Sequence, residues 1–140
     1  MSGKITFTII KPDAVRKGYT ESIFDKIQME GFRIIARKDT LLTREQAEDF
    51  YGIHKGQPFF ENLVNFMTSG PIVVAALEKS NAVELFRTLI GKTNPQEAAE
   101  GTIRRLYGET VSINAIHGSD SDENAQKEVR FFFSENEVSF

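Results

Sequence analysis

The stretch Asn114-Ala-Ile-His117-Gly-Ser119-Asp-Ser121 concentrates reactive side chains and holds one of only two histidines in the chain. An imidazole titrates near neutrality, and its uncharged form is a competent nucleophile. Val111, Ile113 and Ala115 alternate with Ser112 and Asn114, which predicts a half-buried strand over 111–115. Gly118 and the Ser/Asp cluster behind it read as a turn. His117 is therefore expected just past the end of a rigid strand, with one face open to a ligand. A lone histidine in such a turn is more often an ordinary surface residue, so its company decides. The chain has no cysteine. Disulfides, thiolate metal sites and a Cys nucleophile are excluded together, leaving Ser, Thr, His, Lys, Asp, Glu and Tyr as reactive types.

Glu128 is the odd carboxylate of a helix predicted over about 122–132. Ala125, Val129 and Phe132 make its apolar stripe, and Glu128 falls on that same face. Arg130 and Lys127 point elsewhere on the wheel, so an ion pair with either is a poor match. A hydrogen bond to an imidazole is the functional alternative, since a carboxylate fixes which ring nitrogen stays free. Arg87 lies roughly 40° beyond Val83 at ~100° per residue, at the margin of its helix's apolar stripe. It suits a salt bridge or a phosphate clamp at the mouth of a cleft, and Arg104, in an irregular segment, has the same ambiguity, since most loop arginines are simply solvated. Gly91-Lys92-Thr93 looks like the end of a P-loop but is not one. Position 86, where the motif needs glycine, is Phe86, and the triplet follows a helix instead of a strand.

These groups need a scaffold, and 140 residues supply one domain, 1–140, with a sizeable core. A net charge of −3 does not suggest a protein that coats nucleic acid or an acidic membrane. Any polyanionic ligand must then be met by local Lys and Arg. The N-terminus lacks an apolar signal core, and no apolar run is long enough to span a bilayer, so a soluble, cytoplasmic protein is expected.

Ile5–Ile10 reads as a strand stopped by Pro12, residues 20–30 as a helix ended by Gly31, and 32–42 as a second strand. Thr43 and Gln46 have capping-box spacing for a helix to about Tyr51, and a further helix is predicted over 59–68. Ile72–Leu77 is an uninterrupted apolar run typical of a central strand. A helix over 81–90 follows, with Asn81 and Glu84 at capping-box spacing. Residues 91–109 are polar and irregular, with a turn of helix near 102–106, and long ordered loops tend to be functional. This order points to an α+β, ferredoxin-like (split βαβ) fold with an antiparallel sheet and helices on its faces. Pattern alone leaves the pairing direction open. Phe131-Phe-Phe133 cannot all face one core, so one of them is available to a subunit interface.

The blocks Thr8-Ile-Ile-Lys11-Pro-Asp13, Tyr51 with Pro58-Phe59-Phe60, Ser69-Gly-Pro71, Gly91-Lys-Thr93-Asn-Pro95, Gly101-Thr-Ile-Arg104 and Asn114 to Ser121 together resemble the nucleoside diphosphate kinase family. The resemblance covers nearly the whole chain. It implies that His117 is the nucleophile phosphorylated by a nucleoside triphosphate before it passes the group to a diphosphate. It further implies that Glu128 orients His117, and that Ser119 hydrogen-bonds to Glu128. Lys11 and Asn114 hold ribose hydroxyls, and Tyr51 sits beside Lys11 and the transferring group. Arg87, Thr93 and Arg104 bind phosphates, and Phe59 stacks on the base. His54 matches a position where some relatives place a histidine near the α-phosphate. The implied partners are ATP and other nucleoside di- and triphosphates, with no specific nucleic acid and no membrane. Mg²⁺ is expected to arrive on the nucleotide, because no carboxylate cluster offers a protein metal site. A homo-oligomer, tetramer or hexamer, is implied as well, with Phe140 a candidate contact. Thr20, Glu21 and Asp122 depart from the family pattern at non-catalytic positions.

Overall fold

Ile72 to Leu77 is apolar without a break because the strand it forms is covered on both faces. In the computed structural model, which describes residues 3–138, this strand is β3 (Ile72–Glu78). It lies between β1 (Ile5–Ile10) and the edge strand β2 (Arg33–Thr40), and β1 pairs on its other side with β4 (Ile116–Gly118). The order β2-β3-β1-β4 is antiparallel at all three pairings. This is the split βαβ sheet of an α+β, ferredoxin-like fold.

Strand alternation sorts the core into two layers. Val73, Ala75 and Leu77 pack with Ile23, Phe24 and Ile27 of α2 (Thr20–Met29) and with Phe86 and Ile90 of α5 (Ala82–Ile90). Ile72, Val74 and Ala76 face the other way, against Val64 and Met67 of α4 (Phe60–Met67) and Val129 of α7 (Asp122–Phe132). Phe24 and Phe86 are each almost wholly buried, and each such ring contributes about 1.5–3 kcal/mol of transfer free energy. Among the described residues no helix is long and apolar enough to cross a membrane.

The predicted capping box forms at α3 (Arg44–Phe50): Thr43 Oγ1 accepts from the Gln46 amide, and Gln46 Oε1 accepts from the Thr43 amide. The one expected at Asn81 does not. Asn81 adopts a left-handed φ of 57° and its side chain caps nothing, although α5 begins immediately after it. Two short elements carried no sequence signal strong enough to separate them, the helix α1 (Pro12–Arg16) and a 3₁₀ turn at Gly52–His54. The turn of helix near 102–106 is α6 (Ile103–Tyr107), capped by Thr102 Oγ1.

The main correction concerns the strand expected over 111–115. Those residues form a folded loop, and the strand begins only at Ile116, so His117 lies inside β4 instead of beyond its end. The amides of Glu109 and Thr110 both donate to the Ile113 carbonyl, and the Ile113 amide donates to Thr110 Oγ1. These local bonds replace a ladder. Val111 is 53% exposed, so the alternation that suggested a strand buries no continuous face.

The aromatic run divides as expected. Phe133 is buried in the α4–α7 layer, Phe132 stacks on Phe7, and Phe131 remains partly exposed against Phe50. Phe140 lies outside the described residues.

Gly118 allows β4 to approach α5. A β-carbon there would stand 2.9 Å from Ile90 Cδ1 and 3.1 Å from Phe86 Cδ2. Gly118→Ala should therefore cost about 1–3 kcal/mol through overpacking, read as a lower midpoint in thermal unfolding by circular dichroism. An unchanged midpoint would mean that α5 can yield at no cost.

Candidate active site

The register of β4 decides where its side chains go. His117 stands opposite Ile9, and Ile116 opposite Ile10. Ile9 belongs to the layer under α7 and Ile10 to the layer under α2 and α5, so the imidazole emerges on the α7 side. There its Nε2 lies 2.9 Å from Glu128 Oε1, and Ser119 Oγ donates to the same oxygen at 2.6 Å. With the carboxylate accepting from Nε2–H, the lone pair is on Nδ1. Phe7 and Phe50 meet the ring edge-on at centroid distances of 6.0 and 5.7 Å, fixing its tilt. Thr8 Oγ1 donates to the His117 carbonyl at 2.8 Å and pins the strand itself. Phe7 and Phe50 were not legible as site residues, since an aromatic in sequence carries no sign of which ring it will touch.

Lys11 follows β1 and is buried beside Asn114. Its Nζ donates to Asn114 Oδ1 at 2.8 Å, while Asn114 Nδ2 donates to the carbonyls of Thr93 and Val111, each at 3.1 Å. One amide side chain thus ties the loops around 93 and 111 to the cation at the end of β1. Burial, helped by the positive charge of Arg104 and opposed by Asp13, lowers the Lys11 pKa to about 8.

Arg104, on α6, donates from one terminal nitrogen to the Gly91 carbonyl at 3.0 Å and from the other to the Ile116 carbonyl at 2.9 Å. It is no solvated loop residue, and among the described residues it forms no salt bridge. Burial and the nearby Arg87 lower its pKa to about 10. Arg87 itself is exposed on α5. The two arginines share a cleft of about 590 Å³ with Thr93, Gly91 and Lys92, whose carboxylate lining residue is Glu84. Two like charges held this close are electrostatically uncomfortable and suit an anionic ligand.

Tyr51 is buried, its hydroxyl makes no hydrogen bond within the described residues, and burial with the Glu128 charge nearby raises its pKa well above the usual range. It is therefore a neutral donor. Phe59, 47% exposed, and His54 meet each other at 5.2 Å between ring centroids. Their ring contact is with each other and not with the His117 group. Sequence reasoning also missed Asp13. Its Oδ2 accepts from the Ala115 amide at 3.1 Å in a buried setting, and a carboxylate next to Pro12 at a helix start looks like a routine first-turn acid.

Among the described residues no group of three or more His, Asp or Glu side chains is arranged to hold a metal ion. Glu128 is engaged by His117 and Ser119, and the cleft is dominated by cations.

A family model described as nucleoside diphosphate kinase matches residues 4–138. A nucleoside diphosphate kinase of Chlorobaculum parvum is 56% identical over 133 residues, covering 95% of both chains. One from Campylobacter jejuni is 53% identical over 133 residues, covering 95% of this chain and 97% of its own. Among solved structures, the Aquifex aeolicus nucleoside diphosphate kinase superposes with a TM-score of 0.94 at 45% identity, over 96% of this chain and 98% of that one. A halophilic nucleoside diphosphate kinase from Halobacterium salinarum in complex with CDP gives 0.92 at 36% identity, over 98% and 92%.

The lowered pKa of Lys11 has a direct consequence. Below about pH 8 the free enzyme carries an ammonium there, and above it the charge is lost. If that charge meets the ligand's phosphates, kcat/KM should fall on an alkaline limb with a midpoint near 8, because kcat/KM reports free-enzyme ionisations. Initial rates from pH 6.5 to 9.5 check this, and Lys11→Arg should move the limb beyond the range. A flat profile for the unaltered chain would separate Lys11 from ligand binding.

Proposed function

The chain belongs to the nucleoside diphosphate kinase family, and from that premise we propose that His117 is the residue through which it moves the phosphoryl group. The activity is transfer of the γ-phosphate of a nucleoside triphosphate to a nucleoside diphosphate. The observation that carries the proposal is the Ser119–Glu128–His117 chain, with contacts of 2.6 and 2.9 Å. With Nε2–H donating to the carboxylate, a neutral ring is held by that nitrogen and offers its lone pair on Nδ1, which is what in-line attack on phosphorus requires.

In the first half-reaction Nδ1 attacks the γ-phosphorus, a P–N bond forms as the P–O bond to the β-phosphate breaks, and the diphosphate leaves. Glu128 stabilises the cationic ring that results. In the second half a different diphosphate enters the same site, its terminal oxygen attacks the phosphohistidine, and His117 is regenerated. Arg87, Arg104 and Thr93 would hold the phosphates, Lys11 and Asn114 the ribose hydroxyls, with Lys11 also facing the transferring group. Tyr51 would donate its free hydroxyl to that group. Phe59 would stack on the base, and a stacking surface accepts any base. His54, beside Phe59, would stand near the α-phosphate.

The largely cationic cleft offers Mg²⁺ no ligands of its own, so the ion would enter with the nucleotide and offset charge on its phosphates, with Arg87 and Arg104 compensating the rest. The chain is read as one catalytic domain over 1–140, acting in the cytoplasm as a homo-oligomer, tetramer or hexamer. The exposed edge of Phe131 supports a subunit contact.

His117→Ala should abolish transfer while nucleotide affinity stays within a few-fold, and it should not take up the acid-labile, base-stable phosphoryl label that the unaltered chain acquires from radiolabelled ATP. A labelled or active variant, with contaminating kinase excluded, refutes the assignment.

Arg87→Ala and Arg104→Ala should each lose roughly 2–5 kcal/mol of transition-state stabilisation. Arg104→Ala should also lower thermal stability, because it unpairs two backbone carbonyls. A change under about threefold in kcat/KM for either would remove that arginine from the phosphate site.

A further inference from the structure

Two residues before the nucleophile, the backbone takes a conformation that L-residues avoid. Ala115 has φ 76°, and the Ile116 amide donates to the Asn114 carbonyl at 2.9 Å across it. This is a γ-turn of the rarer, strained hand. Its three residues are buried. Asn114, on one side, is the Lys11 partner, and His117 follows directly on the other. Whatever holds this turn sets the spacing between the two halves of the site.

Two groups from the start of the chain grip it. The Lys11 amide donates to the Ala115 carbonyl at 2.8 Å, extending the β1–β4 ladder by one bond. Asp13 Oδ2 accepts from the Ala115 amide at 3.1 Å. Further out, Lys17 Nζ meets Glu109 Oε2 at 2.8 Å and the Tyr19 and Tyr107 rings lie 5.0 Å apart. Among the described residues, only the Asp13 bond reaches the amide of the strained residue itself. That amide is directed out of any ladder by the positive φ, so without the carboxylate it is a buried donor with nothing to bond.

Burying a carboxylate is expensive, and Asp13 is 2% exposed. Burial raises its pKa, against the opposing pull of the backbone amides of Asp13, Ala14 and Ala115 and of the Lys11 charge. A small apolar residue at this first-turn position would pack without that cost, and the hydrogen bond is the return for it.

We propose that Asp13 is a positioning residue for phosphoryl transfer, holding the strained Ala115 γ-turn so that the Lys11–Asn114 pair and His117 keep a productive separation. Among the described residues its side chain bonds to the Ala115 amide and not to His117. It acts through one main-chain amide, and the acceptor oxygen matters more than the charge.

The inference rests on the reading that Lys11, Asn114 and His117 carry the reaction, and its test keeps the two apart. Glycine adopts positive φ without strain, so Ala115→Gly should leave activity within about threefold and lessen the need for Asp13. The test compares Asp13→Ala, Asp13→Asn, Ala115→Gly, the double variant Asp13→Ala/Ala115→Gly, and Asn114→Ala. Each is assayed for kcat and KM with ATP and a diphosphate acceptor, and for its thermal midpoint. Asp13→Ala should lose tenfold or more in kcat. Asp13→Asn keeps an acceptor oxygen and, assayed at a pH well below the Lys11 limb because the lost carboxylate no longer raises the Lys11 pKa, should retain activity within about threefold while its midpoint falls. The double variant should recover most of the loss in kcat.

Normal kcat in Asp13→Ala with only a lower midpoint would overturn the proposal, as would a double variant no better than Asp13→Ala. If Asp13→Ala does not fold, a folded and active double variant still supports the idea, and an unfolded or inactive one defeats it. If Asn114→Ala retains full activity the underlying site reading fails. If Asn114→Ala is impaired and Asp13→Ala is not, only this inference fails.

Discussion

The two-residue period of a three-residue strand governs the whole site. Because His117 faces Ile9 across the β1–β4 pairing, it shares a face with Glu128 on α7, and Ile116 goes to the opposite core. A slip of one residue would bury the imidazole under α5 and present Ile116 to the carboxylate. So short an edge strand has few hydrogen bonds with which to fix its own register. Other contacts do it: Thr8 on the His117 carbonyl, Lys11 on the Ala115 carbonyl, and the close fit of Gly118 against Phe86 and Ile90.

Electrostatics in the cleft follow from the same economy of parts. The chain is acidic overall, at −3, yet Lys11 and Arg104 are withdrawn from solvent, with Arg87 coupled to Arg104. Each withdrawal penalises the charged form, as the lowered pKa values of Lys11 and Arg104 record. The site is thus held slightly short of counter-charge before any ligand arrives. An anion entering beside these cations would relieve that deficit without a large rearrangement.

Much of this was legible in the chain. The uninterrupted run of β3, the Thr43–Gln46 capping box and the apolar stripe of α7 each have one dominant local cause, and each formed as the pattern implies. Glu128 was readable because a carboxylate on an apolar stripe must find a partner. Asn81 and the 111–115 loop were misread for a shared reason. Capping spacing and two-residue alternation are necessary signatures, and both can be satisfied by a tight turn when side-chain and main-chain groups nearby compete for the same bonds. Asp13, Phe7 and Phe50 were invisible as site residues because their contacts lie about a hundred residues away or across a layer. Local pattern carries no information at that range.

Thr8 and His117 are separated by 109 positions, and the strands that bear them are neighbours at the heart of the sheet's active side. During synthesis β1 therefore waits for β4. Until about residue 118 has emerged, β1 has a bare edge exposed to other chains, and no arrangement of the earlier residues can substitute for its missing neighbour. Closure across that span is entropically slow compared with forming α2, α4 or α5. Pairing of β1 with β4 is thus a late event of folding, and a chain interrupted before α7 would hold most of the sheet but lack the Glu128 carboxylate that meets His117.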